Sequence, residues 1–272
     1  MFNKNQYAVQ ASKDHLEFLR KIKLTKVAIK ASQLSLFILV FLFWEIAALN
    51  RWIDPFIMSQ PTRIMKTIVS LSQDGTLYLH TGVTVYETIV GFLSGTLLGT
   101  FIAIILWWSD FTAKVLDPYL VVLNALPKTA LGPIILVWIG GTTQSIIVMA
   151  LLVSIIVTIL NVYSGFIACD EDKIKLLKTF GATKFQILQK VILPANIPNI
   201  ISVLKINVGL SLVGVIVGEF LVSKSGLGYL IIYGGQVFKM DLVMTSVIIL
   251  AAVAALLYLA VHWLERKIAS IK

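Results

Sequence analysis

The chain has 272 residues, 58% of them hydrophobic and 14% charged, with a net charge of +9. Soluble domains run at about 45–50% apolar and about 25% charged, so too few charges are present to coat a soluble domain of this size. A soluble enzyme, a disordered chain and a coiled coil are thereby excluded, and the single cysteine, Cys169, excludes a disulfide scaffold. The apolar runs are continuous rather than alternating, which leaves a helical integral membrane protein.

Residues 1–30 are polar and basic, without the apolar core or small-residue cleavage site of a secretion signal, so the first apolar run is expected to stay as a membrane span. Within this segment, 14–27 (DHLEFLRKIKLTKV) puts Leu16, Leu19, Ile22 and Val27 on roughly one helical face and Lys and Arg on much of the rest. Two readings fit: a basic amphipathic helix on the inner leaflet, or a solvated basic tail that only orients the first span. A crossing helix needs about 20 apolar residues. Runs of that kind occur at 31–50, 82–107, 115–138, 144–166, 198–222 and 242–263, the third interrupted by Pro127 and Pro133. The expected organisation is a cytoplasmic basic segment over 1–30 and one transmembrane domain over 31–272. With both ends inside, the inner segments hold 16 Lys and Arg and the outer segments five, with Lys128 and Lys205 near or within spans. That asymmetry fits the positive-inside rule.

Small and polar residues inside the spans mark packing and pathway candidates. Gly91, Gly95 and Gly99 recur every four residues in the second span, and Gly214 and Gly218 do so in the fifth. Such stripes let a second helix approach closely, either within the chain or in another subunit. Glu45, Glu87 and Glu219 fall within spans, where charge is costly. Glu45 and Glu87 lie near span ends and are expected to reach the interface. Glu219 follows the glycine stripe and is the candidate for a structural or gating role. Asn124, Asn161 and Asn207 are candidate helix glue or path-lining groups, and Lys205 is expected to snorkel inward. In the broken third span, Lys128 stands beside Pro127, Thr129, Gly132 and Pro133. Broken helices are tolerated where protein or a water-filled cavity covers the backbone, so Lys128 is either an anion contact or a boundary lysine beside a turn.

The inner loop 170–198 (DEDKIKLLKTFGATKFQILQKVILPANIP) is too apolar for a plain linker. Asp170, Glu171 and Asp172 sit where a helix start favours acids. Ile174, Leu176, Leu177 and Phe180 form an apolar face, and Gly181 ends or bends the helix. A second amphipathic run with Ile187, Leu188, Val191 and Ile192 follows, and Pro194 is expected to close it. A helix, a glycine turn and a second helix make a compact knob whose basic and apolar surface suits docking into a groove of another protein. Catalytic signatures are missing: no HExxH, GxSxG or GxxxxGK[ST] occurs, and the three histidines, His15, His80 and His262, lie far apart. Gly226 and Gly228 form a GxG without a third glycine at the dinucleotide-binding spacing. Cys169 has no histidine near it in sequence and reads as an inert residue at a membrane boundary.

Gly181, nine intervening residues and then Val191-Ile192-Leu193-Pro194 resemble the "EAA" loop of ABC importer permeases, roughly E-A-A-x-x-x-G-x9-I-x-L-P. Lys175, Leu176 and Leu177 stand where the family has Glu-Ala-Ala. The resemblance extends over about 55–267: Pro61-Thr62-Arg63 is similar to the family's "LPSP" stretch. NALPKTALGPIILVWIG (124–140) and VGEFLVSKSGLGYLI (217–231) are similar to segments of nitrate, sulfonate and taurine permeases, a branch that also handles thiamine precursors and bicarbonate.

The resemblance implies an all-α, six-span, MetI-like permease in the plasma or inner membrane of a bacterial-type cell, with both termini cytoplasmic. It implies a homodimer, two separate ATPase subunits below it and an extracytoplasmic binding protein above. The coupling contacts would fall on Lys173, Lys175, Leu177, Phe180, Gly181, Ala182, Leu193 and Pro194. The pathway or gate would involve Asn124, Lys128 and Glu219. ATP binding would draw the knobs together and rock the permease halves between two packed states. No catalytic residue, metal site or cofactor is expected in this chain, and the solute is expected to be small and anionic or heterocyclic. An ion-coupled secondary transporter using Glu219 or Glu87 is the alternative; it explains the spans but not the knob. An intramembrane enzyme would lack a nucleophile–base pair or metal cluster.

Overall fold

The computed structural model describes residues 13–269, with side chains from Phe18 to Lys267, and all regular structure among them is helical. The chain divides after Arg63 into two units.

In the first unit, α1 (Lys13–Leu49) is one unbroken helix. Its 37 residues span about 55 Å at 1.5 Å per residue, against about 30 Å of hydrocarbon. The amphipathic stretch is thus the N-terminal part of the same helix that forms the first span. Leu19, Ile22 and Val27 are exposed on it, and Leu16 lies outside the described side chains. A single turn, α2 (Pro55–Met58), is capped by Asp54, which accepts from the Phe56 N–H at 2.9 Å. Glu45 was expected at the interface. There it accepts from the Thr62 backbone N–H (3.1 Å) and hydroxyl (2.8 Å). Thr62 opens α3 (Pro61–Gln73), where the helix dipole favours a carboxylate.

The second unit is organised by three long helices, α4 (Thr76–Trp108), α7 (Thr143–Ile167) and α10 (Leu193–Val222), packed on one another. Glycine makes this possible. A Cβ at Gly91 would lie 2.5 Å from the Ala150 Cβ, and one at Gly99 would lie 2.6 Å from the Thr158 Cβ. At Gly214 it would lie 2.6 Å from the Ala150 Cα. Gly95 abuts Ser154, and Gly218 abuts Ile146. All five glycines meet a neighbouring helix of the same chain, with Ala150 held between α4 and α10. The seam is also bonded: the buried Asn207 amide donates to the Thr96 and Thr158 hydroxyls, both at 2.7 Å, joining the three helices. Interhelical bonds of this kind contribute about 0.6 kcal/mol on average and up to about 1.7 in membranes. Asn207→Leu is therefore expected to cost about 1–2 kcal/mol, read as a lower unfolding temperature in detergent; an unchanged temperature would show the bonds contribute nothing net.

The run 115–138, read as one span interrupted by prolines, is broken sharply. It is α5 (Asp110–Ala125) followed by a 3-10 turn (Lys128–Leu131) leading into α6 (Gly132–Ile139), the two arms bent by 89°. Proline explains the elbow: Pro127 lacks an N–H and drives Leu126 to extended geometry (ψ 137°). Pro194 does not close a helix. The path runs on from α9 (Lys184–Ile187) through a π turn (Leu188–Ile192) into α10, 39 residues in all. In that wider turn the Leu193 N–H reaches the Leu188 carbonyl, so the chain passes Pro194 without breaking. Lys205, expected to snorkel inward, pairs with Glu265 of α12 (Met240–Ala269), which also contacts His262 Nδ1 at 3.0 Å. Helix α11 (Leu227–Gln236) packs on α12, α10 and α4. Among the described residues five helices are long and apolar enough to cross a membrane, and the bent pair, counted as one span, gives a sixth.

Candidate coupling and pathway sites

The inner knob begins at α8 (Glu171–Thr179), capped by Asp170, whose side chain accepts from the Asp172 N–H at 3.0 Å. That bond holds the Asp170 carboxyl below its ordinary value by favouring the charged form. The helix ends in a Schellman motif. The Gly181 N–H bonds the Lys178 carbonyl (2.9 Å) and the Ala182 N–H bonds the Leu177 carbonyl (3.0 Å). Gly181 sits at φ +76°, where a side chain is disfavoured. Thr183 and Gln186 then form a capping box that starts α9.

The apolar face read from the sequence is split by this geometry. Ile174, Leu177, Ala182 and Leu193 pack inward on a core containing Ala103, Val162, Phe166, Ile187 and Ile192. Leu176 (57% exposed), Phe180 (78%) and Phe185 (60%) are left outside. Leu177, Ala182 and Leu193, expected as coupling contacts, thus fix the knob to the bundle, and Pro194 is half-buried behind them. Phe185, which sequence reasoning passed over, joins the outward surface. Lys173 pairs with Asp170 at 3.5 Å, and Lys175 with Glu171 (3.2 Å) and Asp172 (3.7 Å), all exposed. The knob is pinned from the other side by Lys184: its Nζ donates to the Trp108 carbonyl at 2.8 Å and lies 5.4 Å from the Trp107 ring centroid.

At the elbow of the bent span, Lys128 Nζ donates to the Asn124 carbonyl at 3.1 Å, so the two pathway candidates meet there, Asn124 exposed and Lys128 half-buried. Glu219 lies elsewhere, fully buried near the outer end of α10. Its carboxylate accepts from the Thr84 hydroxyl (2.6 Å) and the Gly228 N–H (2.5 Å). Thr84 in turn accepts from the Leu227 N–H (2.8 Å), and His80 Nδ1 accepts from the Gly226 N–H (2.9 Å). Three N–H groups at the start of α11 are thus bound by side chains of α4 and α10. The glycines are required, since a Cβ at Gly228 would lie 2.7 Å from the Glu219 carboxylate. Glu87, expected at the interface, is instead fully buried in the same region of α4. His80 and Thr84 were missed; the spacing of Glu219 from the Gly226–Gly228 pair was the available signal.

A multi-pass helical bundle with a bent span and an inner helix–turn–helix knob defines a membrane permease. The chain belongs to the family of binding-protein-dependent transport system inner membrane components, which it matches over residues 95–270. It is 31% identical to a probable ABC transporter permease protein of Haemophilus influenzae over 83% of this chain and 91% of that one. It is 29% identical to a putative aliphatic sulfonates transport permease protein, SsuC, of Bacillus subtilis over 84% and 83%. It is 24% identical to the taurine transport system permease protein TauC of Escherichia coli over 86% of each. Solved structures share the fold. A bacterial ABC transporter involved in import of the acidic polysaccharide alginate aligns with TM-score 0.63 over 90% of this chain and 99% of that one, at 16% identity. The inward-facing MetNI methionine ABC transporter aligns with TM-score 0.61 over 69% and 94%, at 18% identity. The chain is accordingly a multi-pass inner-membrane permease subunit of an ABC importer, a class that implies ATPase and binding-protein partners. The ion-coupled alternative is not favoured.

Proposed function

We propose that this permease carries a small oxyanion of the sulfonate or taurine type and takes its driving motion from the ATPase through the knob at 173–194. The observation that carries the coupling role is the exposed aromatic pair Phe180 and Phe185 beside Leu176, on a knob whose opposite face is locked into the bundle. Apolar rings left in water on a rigid support are the hallmark of a docking anchor. The solute class is supported by the sulfonate and taurine relatives. We assign the working unit as two copies of this chain on two ATPase subunits, with an extracytoplasmic binding protein delivering solute. The chain itself has no catalytic part and no cofactor in this scheme.

The elbow at Asn124 and Lys128 is assigned to the pathway, where the Lys128 ammonium meets the anion. Reconstitution in liposomes with the ATPase and binding protein tests the scheme. Taurine or an alkanesulfonate should be taken up only with ATP and only with the ATPase present. Uptake that persists without the ATPase and collapses with an ionophore would overturn it. In the same assay Lys128→Gln should raise KM about tenfold, the equivalent of about 1.4 kcal/mol for one charge-assisted hydrogen bond; unchanged kinetics would remove Lys128 from the path.

A further inference from the structure

The inner end of the α7–α10 seam carries an open cavity of about 520 Å³ that none of the roles above uses. Asn161, Ser164 and Gly165 of α7, Asn196 and Asn199 of α10, and Lys173 of α8 line it. Polar groups make up about half of these walls, beside Ala168 and Ala195, although both long helices are long and apolar enough to be membrane spans. Asn161 and Ser164 are exposed, while Asn196 is only 5% exposed. Each amide is oriented by the backbone. Asn161 donates to the Val157 carbonyl (2.8 Å), Asn196 to the Ile192 carbonyl (2.9 Å) and Asn199 to the Asn161 carbonyl (3.0 Å). One N–H of each amide is used, and the exposed Asn161 and half-buried Asn199 keep an amide oxygen and a second N–H. Turning such groups toward hydrocarbon costs several kcal/mol each, so this face meets water rather than lipid. Gly165 keeps the site in shape, because a Cβ there would run into the Asn196 and Asn199 side chains.

Size and charge point to a passing solute. Small-molecule pockets run from about 300 to 1,000 Å³. The charged groups at the rim, Lys173 and Asp170, pair with each other at 3.5 Å, so the lining carries no net charge. Neutral amides and a hydroxyl hydrogen-bond an oxyanion without the fixed positive charge that would retain it. That chemistry suits release. One edge of the cavity is α8, the helix assigned to coupling, so movement of the knob alters the cavity directly.

We propose that this cavity is the cytosolic exit subsite of the permease, a neutral hydrogen-bonding station for a small oxyanion; the proposal rests on the permease and solute reading above. The test uses the complete transporter in proteoliposomes, with a Cys169→Ser chain as parent because Cys169 also lines the cavity. Asn161→Cys, Ser164→Cys and, as control, Leu97→Cys are treated with a thiosulfonate reagent that itself carries a sulfonate. Leu97 is 70% exposed on the α4 span, an apolar position. The positions 161 and 164 should react roughly tenfold faster than 97 or more, by the difference between water and hydrocarbon contact. Excess taurine should slow that reaction. Asn199→Asp should lower uptake of the anion roughly tenfold or more through like-charge repulsion, with the ATPase still co-purifying. Equal reactivity at 161, 164 and 97, or unchanged uptake in Asn199→Asp, with the ATPase still bound, would overturn the exit site and leave the permease reading intact. A parent chain that retains no ATPase would overturn the permease reading, and the exit site with it.

Discussion

Phe180→Ala should weaken binding of the ATPase to the permease by about thirtyfold, equivalent to about 2 kcal/mol, the scale of an aromatic anchor truncated at the centre of an interface. Phe180 is 78% exposed at the tip of the knob, with nothing of its own chain over it, so its removal costs the bundle little. Lys175→Ala provides the contrast. Its charge is already shared with Glu171 and Asp172 on an open surface, where such pairs are worth about 0–1 kcal/mol, and binding should stay within about threefold. Gly181→Val acts differently. A β-branched residue at φ +76° costs at least about 1–2 kcal/mol and opposes the two bonds that turn the knob. The ATPase should still bind through a distorted knob, while ATP-driven uptake falls by roughly tenfold or more. Titration of labelled ATPase onto nanodisc-held permease separates binding from uptake. If all three variants bind and transport alike, the knob is not the docking element.

The second large effect is expected where α7 and α10 touch. Gly214→Ala would place a carbon 2.6 Å from the Ala150 Cα, 3.0 Å from its N and 3.1 Å from the Met149 carbonyl oxygen. These are backbone atoms, which cannot rotate away, so the helices must separate along a seam that also carries Gly218. Overpacking of this kind costs about 1–3 kcal/mol, and the upper end is expected here. Gly209 lies on the same helix, and a Cβ there meets nothing within 4 Å. Gly209→Ala should raise stability by up to about 1 kcal/mol, the helix-propensity gain alone. Opposite shifts in the unfolding temperature of the two variants in detergent are the expected result; a Gly214→Ala chain that melts with the parent would contradict the close seam.

These contrasts show what was legible in the sequence. Continuous apolar runs and the lysine asymmetry revealed the crossings, because both follow from the bilayer alone. The glycine stripes were visible as stripes, yet only packing tells Gly214 from Gly209: the neighbour that fills the missing side chain comes from a distant part of the chain. The knob's turn was legible at Gly181 because a Schellman motif is local. Its outward face was not, since Leu176 and Leu177 are adjacent and equally apolar, and burial against Phe166 decides between them. Glu87 was misplaced for a related reason. Its nearness to a span end suggested the interface, but it is fully buried in the bundle. Pro194 misled because proline usually ends a helix, and the π turn before it is a response no local rule announces.

That uninterrupted helical path has one more consequence. From Lys184, which is bonded to Trp108, to Val222 beyond the Glu219 cluster, 39 residues run as a single rod of about 58 Å at 1.5 Å per residue. The rod begins at the knob and finishes against α11 at the far end of the bundle. If a push arrives at one membrane surface, this path can deliver it to the other like a drive shaft rather than through loops, with the π turn and Pro198 as the two departures from regular helix bonding.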